Sequence, residues 1–161
     1  MNPAATALTD QAEAAAMHSL TALATIAPTV NGTIGARLPG PISLRFLARL
    51  EAGLLGGAIG FCDHLSATAP RPAFWSPWAA GKVRCAPCAG RAYTRIKGTT
   101  EDRRCDRCRR RMTVTNSLAW QLPAVVLTLP GGAARAIPPM QVHLGLCSAC
   151  RHVDTEGDDR P

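Results

Sequence analysis

Three cysteine pairs of identical spacing, Cys85-Ala-Pro-Cys88, Cys105-Asp-Arg-Cys108 and Cys147-Ser-Ala-Cys150, carry the clearest chemical signal in this 161-residue chain. A two-residue gap lets a tight turn aim two thiolates at one tetrahedral ion. Six thiolates leave two four-coordinate sites short by two ligands. Cys62-Asp-His64 lies upstream of the first pair, and in an extended segment residues i and i+2 point the same way, so Cys62 and His64 complete the set. Eight ligands make two closed zinc sites, two ions per chain. The preferred, sequential pairing groups Cys62, His64, Cys85 and Cys88 in one site and Cys105, Cys108, Cys147 and Cys150 in the other. A RING-like cross-brace competes with it, since intervening lengths of 20, 16 and 38 residues allow both. His152 competes with His64 as the histidine ligand. His143 is expected on the solvated face of a strand, and Cys62 has the plain alternative of a small buried apolar residue.

Two filled ligand sets argue against catalysis, because a catalytic zinc keeps an open position. A thioredoxin-like pair is single and sits at a helix N-terminus after a strand, a context expected for none of the three pairs. Thiol redox chemistry is therefore the lesser alternative. Leu54 to Gly60 is glycine-rich but has no Gly-Lys-Ser/Thr and follows a helix, so it is no phosphate loop. No nucleophile–base triad stands out, and the expected protein is not an enzyme.

The formal charge is +7, and all of the excess is local. Residues 81–112 hold eleven Lys or Arg against three acids, while the rest of the chain sums to −1. Seven thiolates and two zinc ions would bring the whole to +4, so two or three arginines serve only to neutralise an all-cysteine centre. A surplus remains in Arg95, Lys97, Arg103, Arg104, Arg107, Arg109, Arg110 and Arg111. Arginines clustered about a metal knuckle make a phosphate-binding surface, and nucleic acid is the expected partner. No recognition helix is evident, so salt-sensitive, mostly non-specific binding is expected. The alternative is a protein-interaction adaptor, with a protein partner or a second copy held by N-terminal helices.

These residues need elements to position them. Asp10 and Glu13 read as cap and capping partner of a helix over 11–26, and Asn31 to Pro41, with three Gly and two Pro, reads as a linker. Ser43 is expected to cap a second helix with Phe46, Leu47, Leu50 and Leu54 on one face, ended by Gly53, Gly56 and Gly57. From Phe61 helical periodicity disappears. Strands are expected at 111–115, 124–129 and 140–146, the last with Gln141, His143 and Gly145 on its polar face. Only 4% of residues are aromatic, so Phe74, Trp75 and Trp78 are expected to form a small core, with zinc supplying the missing stability. The expected architecture is α+β: an N-terminal helical segment (1–60), a two-zinc ribbon-like domain (61–153) and a loose acidic tail (154–161). Residues 1–20 carry no export signal, and the longest apolar run, 52–62, is about half of the roughly 20 residues a membrane span needs. A cytoplasmic location without membrane contact is expected, where reduced thiols bind metal.

The strings Cys62-Asp-His-Leu, Pro72-Ala-Phe-Trp75, Arg84-Cys-Ala-Pro-Cys-Ala89, Cys105-Asp-Arg-Cys108 and Leu146-Cys-Ser-Ala-Cys150 resemble uncharacterised zinc-ribbon-like proteins of high-GC actinobacteria and their mobile elements. The resemblance covers residues 61–152. It implies metal binding, with Cys62 and His64 as the fourth ligand pair, and no activity or partner.

Overall fold

The computed structural model describes residues 3–30, 32–34, 39–65, 71–113, 116–123, 125–128 and 134–156. Helix α1 spans Pro3–Ile26, starting about two turns before the predicted onset. An alanine-rich run keeps the helix going and proline is well suited to its first turn, so Asp10 and Glu13 lie inside the helix and do not cap it. Ala15, Ser19 and Leu23, four residues apart, are its buried stripe. A short 3-10 turn, Ala27–Val30, leads to β1 (Thr33–Ile34), a strand within the predicted linker; residues 31 and 35–38 of that linker lie outside the described set.

Helix α2 spans Pro41–Leu55. Its cap position is Gly40, and Ser43 is buried within the first turn, correcting the expected cap. The acceptor for the first turn comes from far along the chain: Asp154 Oδ1 accepts from the Ile42 and Ser43 N–H groups at 2.9 and 2.8 Å, and Oδ2 accepts from Ser43 Oγ. Trp120 Nε1 donates to the same hydroxyl at 3.1 Å. Ile42, Leu50 and Leu54 enter the core, with Phe46 and Leu47 packed against it. Gly53 is required where the chain doubles back: a Cβ there would lie 2.4 Å from Ile59 Cδ1.

Beyond residue 60 come β2 (Gly60–Phe61), β3 (Ala73–Trp75), β4 (Lys82–Cys85), helix α3 (Ala86–Ile96), β5 (Asn116–Leu122), β6 (Val125–Thr128), β7 (Ala134–Ile137), β8 (Met140–Leu146) and helix α4 (Ser148–Glu156). Six strands form one sheet in the order β1-β5-β8-β3-β4-β2, and β6 pairs with β7 apart from it. The long central pair is antiparallel, Asn116 opposite Leu146 through Leu122 opposite Met140. β3 runs parallel to β8 and antiparallel to β4, with Ala73 opposite both Met140 and Cys85. β8 coincides with the predicted 140–146. The strand predicted over 111–115 reduces to an isolated bridge of Arg111 with Arg104, and residues 114–115 lie outside the described set. Helices α3 and α4 correct the expectation that helical structure ends near residue 61.

The core joins Trp75, Val83, Met140, Val142, Leu144 and Leu146 to Ile42, Leu50 and Leu54, and so draws on both sides of residue 60. Trp75 is buried, its Nε1 donating to Ala80 O at 2.9 Å, whereas Phe74 and Trp78 are half-buried. The polar face predicted for β8 is covered. Gln141 is 1% exposed; its Nε2 donates to Ser19 O at 2.8 Å and to Ser19 Oγ, and its Oε1 meets His143 Nε2 at 2.8 Å. His143 is half-buried beside Phe74, ring centroids 5.8 Å apart, and burial lowers its pKa to about 4. Nor is Asp154 part of a loose tail: it is 6% exposed within α4. Residues 157–161 lie outside the described set.

Candidate metal centres

Each cysteine pair owes its position to a local structural junction. Cys85 is the last residue of β4 and the cap residue of α3, and Cys88 lies one turn into that helix. Cys147 follows β8 and precedes α4, which carries Cys150 in its first turn. Two of the three pairs therefore stand at a strand-to-helix junction, the context expected for none of them. Proline at 87 suits the first turn of α3, where no intrahelical partner for its nitrogen is needed.

Cys105 and Cys108 sit in a knuckle. Met112 N–H donates to Arg103 O at 2.7 Å, Arg104 bridges Arg111, and Cys105 N–H donates to Arg110 O at 2.9 Å. The turn closes with Arg109 N–H on Cys105 O at 2.9 Å, and Arg109 takes φ 61°, the left-handed conformation that returns the chain. The knuckle is docked onto the end of β8. Asp106 N–H donates to Gly145 O at 2.8 Å, and Asp106 Oδ2 accepts from Gly145 N–H at 2.6 Å. Burial pushes the Asp106 carboxyl up to about 6, against the pull of that N–H and of Arg109. This reciprocal pair brings the knuckle thiols alongside Cys147 and Cys150.

Two groups of four side chains result, each able to hold a metal ion: Cys62, His64, Cys85 and Cys88, and Cys105, Cys108, Cys147 and Cys150. Within each group the ligand atoms all lie within 4.8 Å of one another. The grouping is sequential; the cross-brace is not formed, and the histidine in the first group is His64. All seven cysteines are free of disulfides. A tetrahedral ion held by thiolates at about 2.3 Å has sulfur–sulfur edges of about 3.8 Å and shorter sulfur–nitrogen edges. The Cys108 Sγ to Cys147 Sγ distance is 3.8 Å and Cys88 Sγ to His64 Nδ1 is 3.4 Å, so both measured edges fit.

The thiols are electrostatically mismatched to one another, as expected of groups that share a cation. Burial raises Cys62, but the backbone N–H groups of Cys85 and His64 and the adjoining side chains bring it down to about 7. Burial raises Cys85, and hydrogen bonding to the Cys88 and Cys62 thiols adds to the rise. Burial, with the Cys147 and Cys105 thiols, pushes Cys150 up to about 12. Four thiols packed at these distances cannot all ionise without a positive charge among them, and metal binding would release their protons.

Arginines edge both centres. Arg91 Nη2 donates to Cys88 Sγ at 3.0 Å, and Arg107 Nη1 approaches Cys150 Sγ at 4.0 Å. The eight cations singled out in the sequence, Arg95, Lys97, Arg103, Arg104, Arg107, Arg109, Arg110 and Arg111, are all exposed. Among the described residues only Glu101 forms ion pairs with any of them, with Arg104 and Arg109. Beside the first cluster a cleft of about 240 Å³ is lined by Arg91 and Arg95, which belong to the basic run of the sequence, and by two further cations, Lys82 and Arg84, that the sequence reading did not single out. Lys82 and Arg84 lie two apart on β4, and Arg91 and Arg95 four apart on α3; those spacings have meaning only once the strand and the helix are known.

No helix among the described residues is long and apolar enough to cross a membrane. Comparison of the chain with protein-family models, curated proteins and solved structures finds no match.

Proposed function

We propose that this chain is a non-catalytic, cytoplasmic two-zinc protein of zinc-ribbon-like type whose basic face binds nucleic acid, in an accessory role in transcription, replication or a mobile element. Zinc is the ion that four-ligand thiolate and thiolate–imidazole sets with tetrahedral edges suit best. Fourfold clustering supports structural metal over thiol redox, since a redox pair works alone. The resemblance to zinc-ribbon-like proteins of actinobacterial mobile elements points the same way.

The observation that carries nucleic-acid binding is the knuckle: six arginines within nine residues, all exposed, with one acidic side chain among the described residues in ion-pair contact. Residues 97–103 join α3 to this knuckle, so cations run along the chain from one centre to the other. Arg103, Arg110 and Arg111 have no ion-pair partner among the described residues. Replacing all three by Gln in the zinc-loaded protein is expected to weaken binding of a mixed-sequence duplex and to reduce the salt slope, log Kd against log salt, by about three. An unchanged slope would refute the assignment. A protein-interaction adaptor is the second reading, supported by Met17 and Leu20 on α1 and Leu44 on α2, which are exposed apolar side chains; under it, capture of a partner or a second copy survives the triple substitution and fails with Met17→Gln/Leu44→Gln.

A further inference from the structure

We infer that the cleft beside the first metal centre is a phosphate-binding site, which seats a backbone phosphate of the bound nucleic acid at a point separate from the knuckle. The inference rests on the nucleic-acid reading for its ligand's source, but its geometry stands apart from the knuckle arginines. The cleft is lined by Lys82 and Arg84 from β4, by Arg91, Ala92 and Arg95 from α3, and by Cys62, Asp63, His64 and Cys88 of the metal segment. Four cations thus converge from two elements, and Arg91 and Arg95 share a helix face by their four-residue spacing. No carboxylate among the described residues forms an ion pair with any of the four.

The charge balance favours an anion. Four positive side chains face one carboxylate, Asp63, and a loaded centre whose three thiolates and neutral histidine around a divalent ion leave a charge of −1. About two positive charges remain for the ligand to neutralise. Two of the cations are also held in place. Arg84 Nη1 donates to Ala79 O at 2.8 Å and Lys82 O at 2.6 Å, which fixes its guanidinium at the cleft wall. Arg91 is tied by Nη2 to Cys88 Sγ, so the metal ligand orients it. Guanidinium groups fixed in this way offer forked donors that match phosphate oxygens. The volume limits what enters. About 240 Å³ is below the roughly 300 Å³ at which pockets for whole small-molecule ligands begin, yet it admits a tetrahedral anion with part of an attached sugar.

The test uses the full, zinc-loaded chain and the double variant Lys82→Gln/Arg95→Gln. Among the described residues neither side chain forms a hydrogen bond or ion pair with a metal ligand, and both are exposed, so zinc content and circular dichroism should be unchanged. Duplex binding is followed by fluorescence anisotropy across a salt series, and inorganic phosphate is titrated separately while the amide signals of Lys82, Arg91, Ala92 and Arg95 are followed by NMR. Expected are a roughly tenfold loss of duplex affinity, a salt slope smaller by about two, and phosphate-induced shifts confined to those amides. If the variant binds duplex with the affinity and slope of the parent, the cleft is no phosphate seat, while the nucleic-acid function stands. If the parent chain binds no duplex but phosphate shifts the four amides, the site stands as one for a free phosphate and the nucleic-acid reading falls. If duplex fails to bind and phosphate moves nothing, both are overturned.

Discussion

Asp154→Ala should be among the most damaging single changes outside the metal ligands. The carboxylate is 6% exposed and serves the first turn of α2 with three hydrogen bonds, from Ile42 N, Ser43 N and Ser43 Oγ. Removing it uncaps α2, leaving two buried N–H groups and the Ser43 hydroxyl proton without their acceptor, each costing about 1 kcal/mol. Ser43 Oγ keeps the bond it accepts from Trp120, so the expected loss is about 3 kcal/mol. For a chain of this length that lowers the melting temperature by roughly 10 °C. Asp154→Asn, which keeps one acceptor oxygen, should lose about half as much. The measurement is urea unfolding at fixed free zinc, with the zinc content counted in parallel, because Asp154 touches no ligand and both ions should stay bound. A loss below about 0.5 kcal/mol, or release of zinc at full helix content, would refute the view that α4 caps α2. Gly40→Ala provides a second route to the same contact, since its Cβ would lie 1.7 Å from Asp154 O; it too should destabilise.

Loss of one ligand should be local to its cluster. Cys85→Ser and Cys150→Ser are each expected to reduce zinc from two ions to one per chain by native mass spectrometry, and the double variant to none; a single substitution that empties both sites would overturn the grouping. The His143 imidazole should titrate by NMR near pH 4, because burial disfavours its charged form. Its folded-state pKa lies below the ordinary 6.5, so the contribution to stability is complete above pH 6.5 and is lost as pH falls towards 4, by at most about 3 kcal/mol. A midpoint near 6.5 would place the ring in water. Gln141→Ala should cost about 2 kcal/mol by removing the bonds to Ser19 and the partner of His143 Nε2, although Ser19 Oγ keeps its bond to Gln121 Oε1, measured by the same urea unfolding; a neutral result would mean that α1 does not seal this face of the sheet.

The metal ligands were readable because the constraint on them is local: two intervening residues suffice to aim two thiolates, and Cys62 and His64 are one residue apart, although the extended tripeptide expected for them is instead a turn, closed by Leu65 N–H on Cys62 O at 3.0 Å. Elements that depend on distant partners were not. Helix α3 has no buried residue among its eleven; the face it turns inward, Cys88, Ala89, Ala92 and Ile96, is only half-buried and mostly of small side chains, a faint stripe to read, and its cap is a cysteine in place of Ser, Thr, Asp or Asn. β8 was legible in extent but not in environment. Alternation places Gln141 and His143 on the face opposite Val142 and Leu144, and nothing near them in sequence announces that Ser19, 122 residues away, covers that face. Asp154 reads as tail because its neighbours are polar; its partners lie 111 and 112 residues upstream. The run 111–115 is rich in β-branched residues, yet only Arg111 is paired among its described members, because the ladder with β8 begins at Asn116.

The antiparallel course of β4 and β8 sets how the two loaded centres would act on each other. Cys85 stands level with Met140 through their common partner Ala73, whereas Cys147 follows the far end of the seven-residue β8. The length of that strand puts about 20 Å between the clusters. Filled with divalent ions, they would carry −1 and −2, and at that distance in water their repulsion is only about 0.4 kcal/mol before salt screens it further. Either ion can therefore bind without penalty from the other, and the chain should take up its ions as two nearly independent equilibria, each following its own pH dependence as its own thiols surrender their protons.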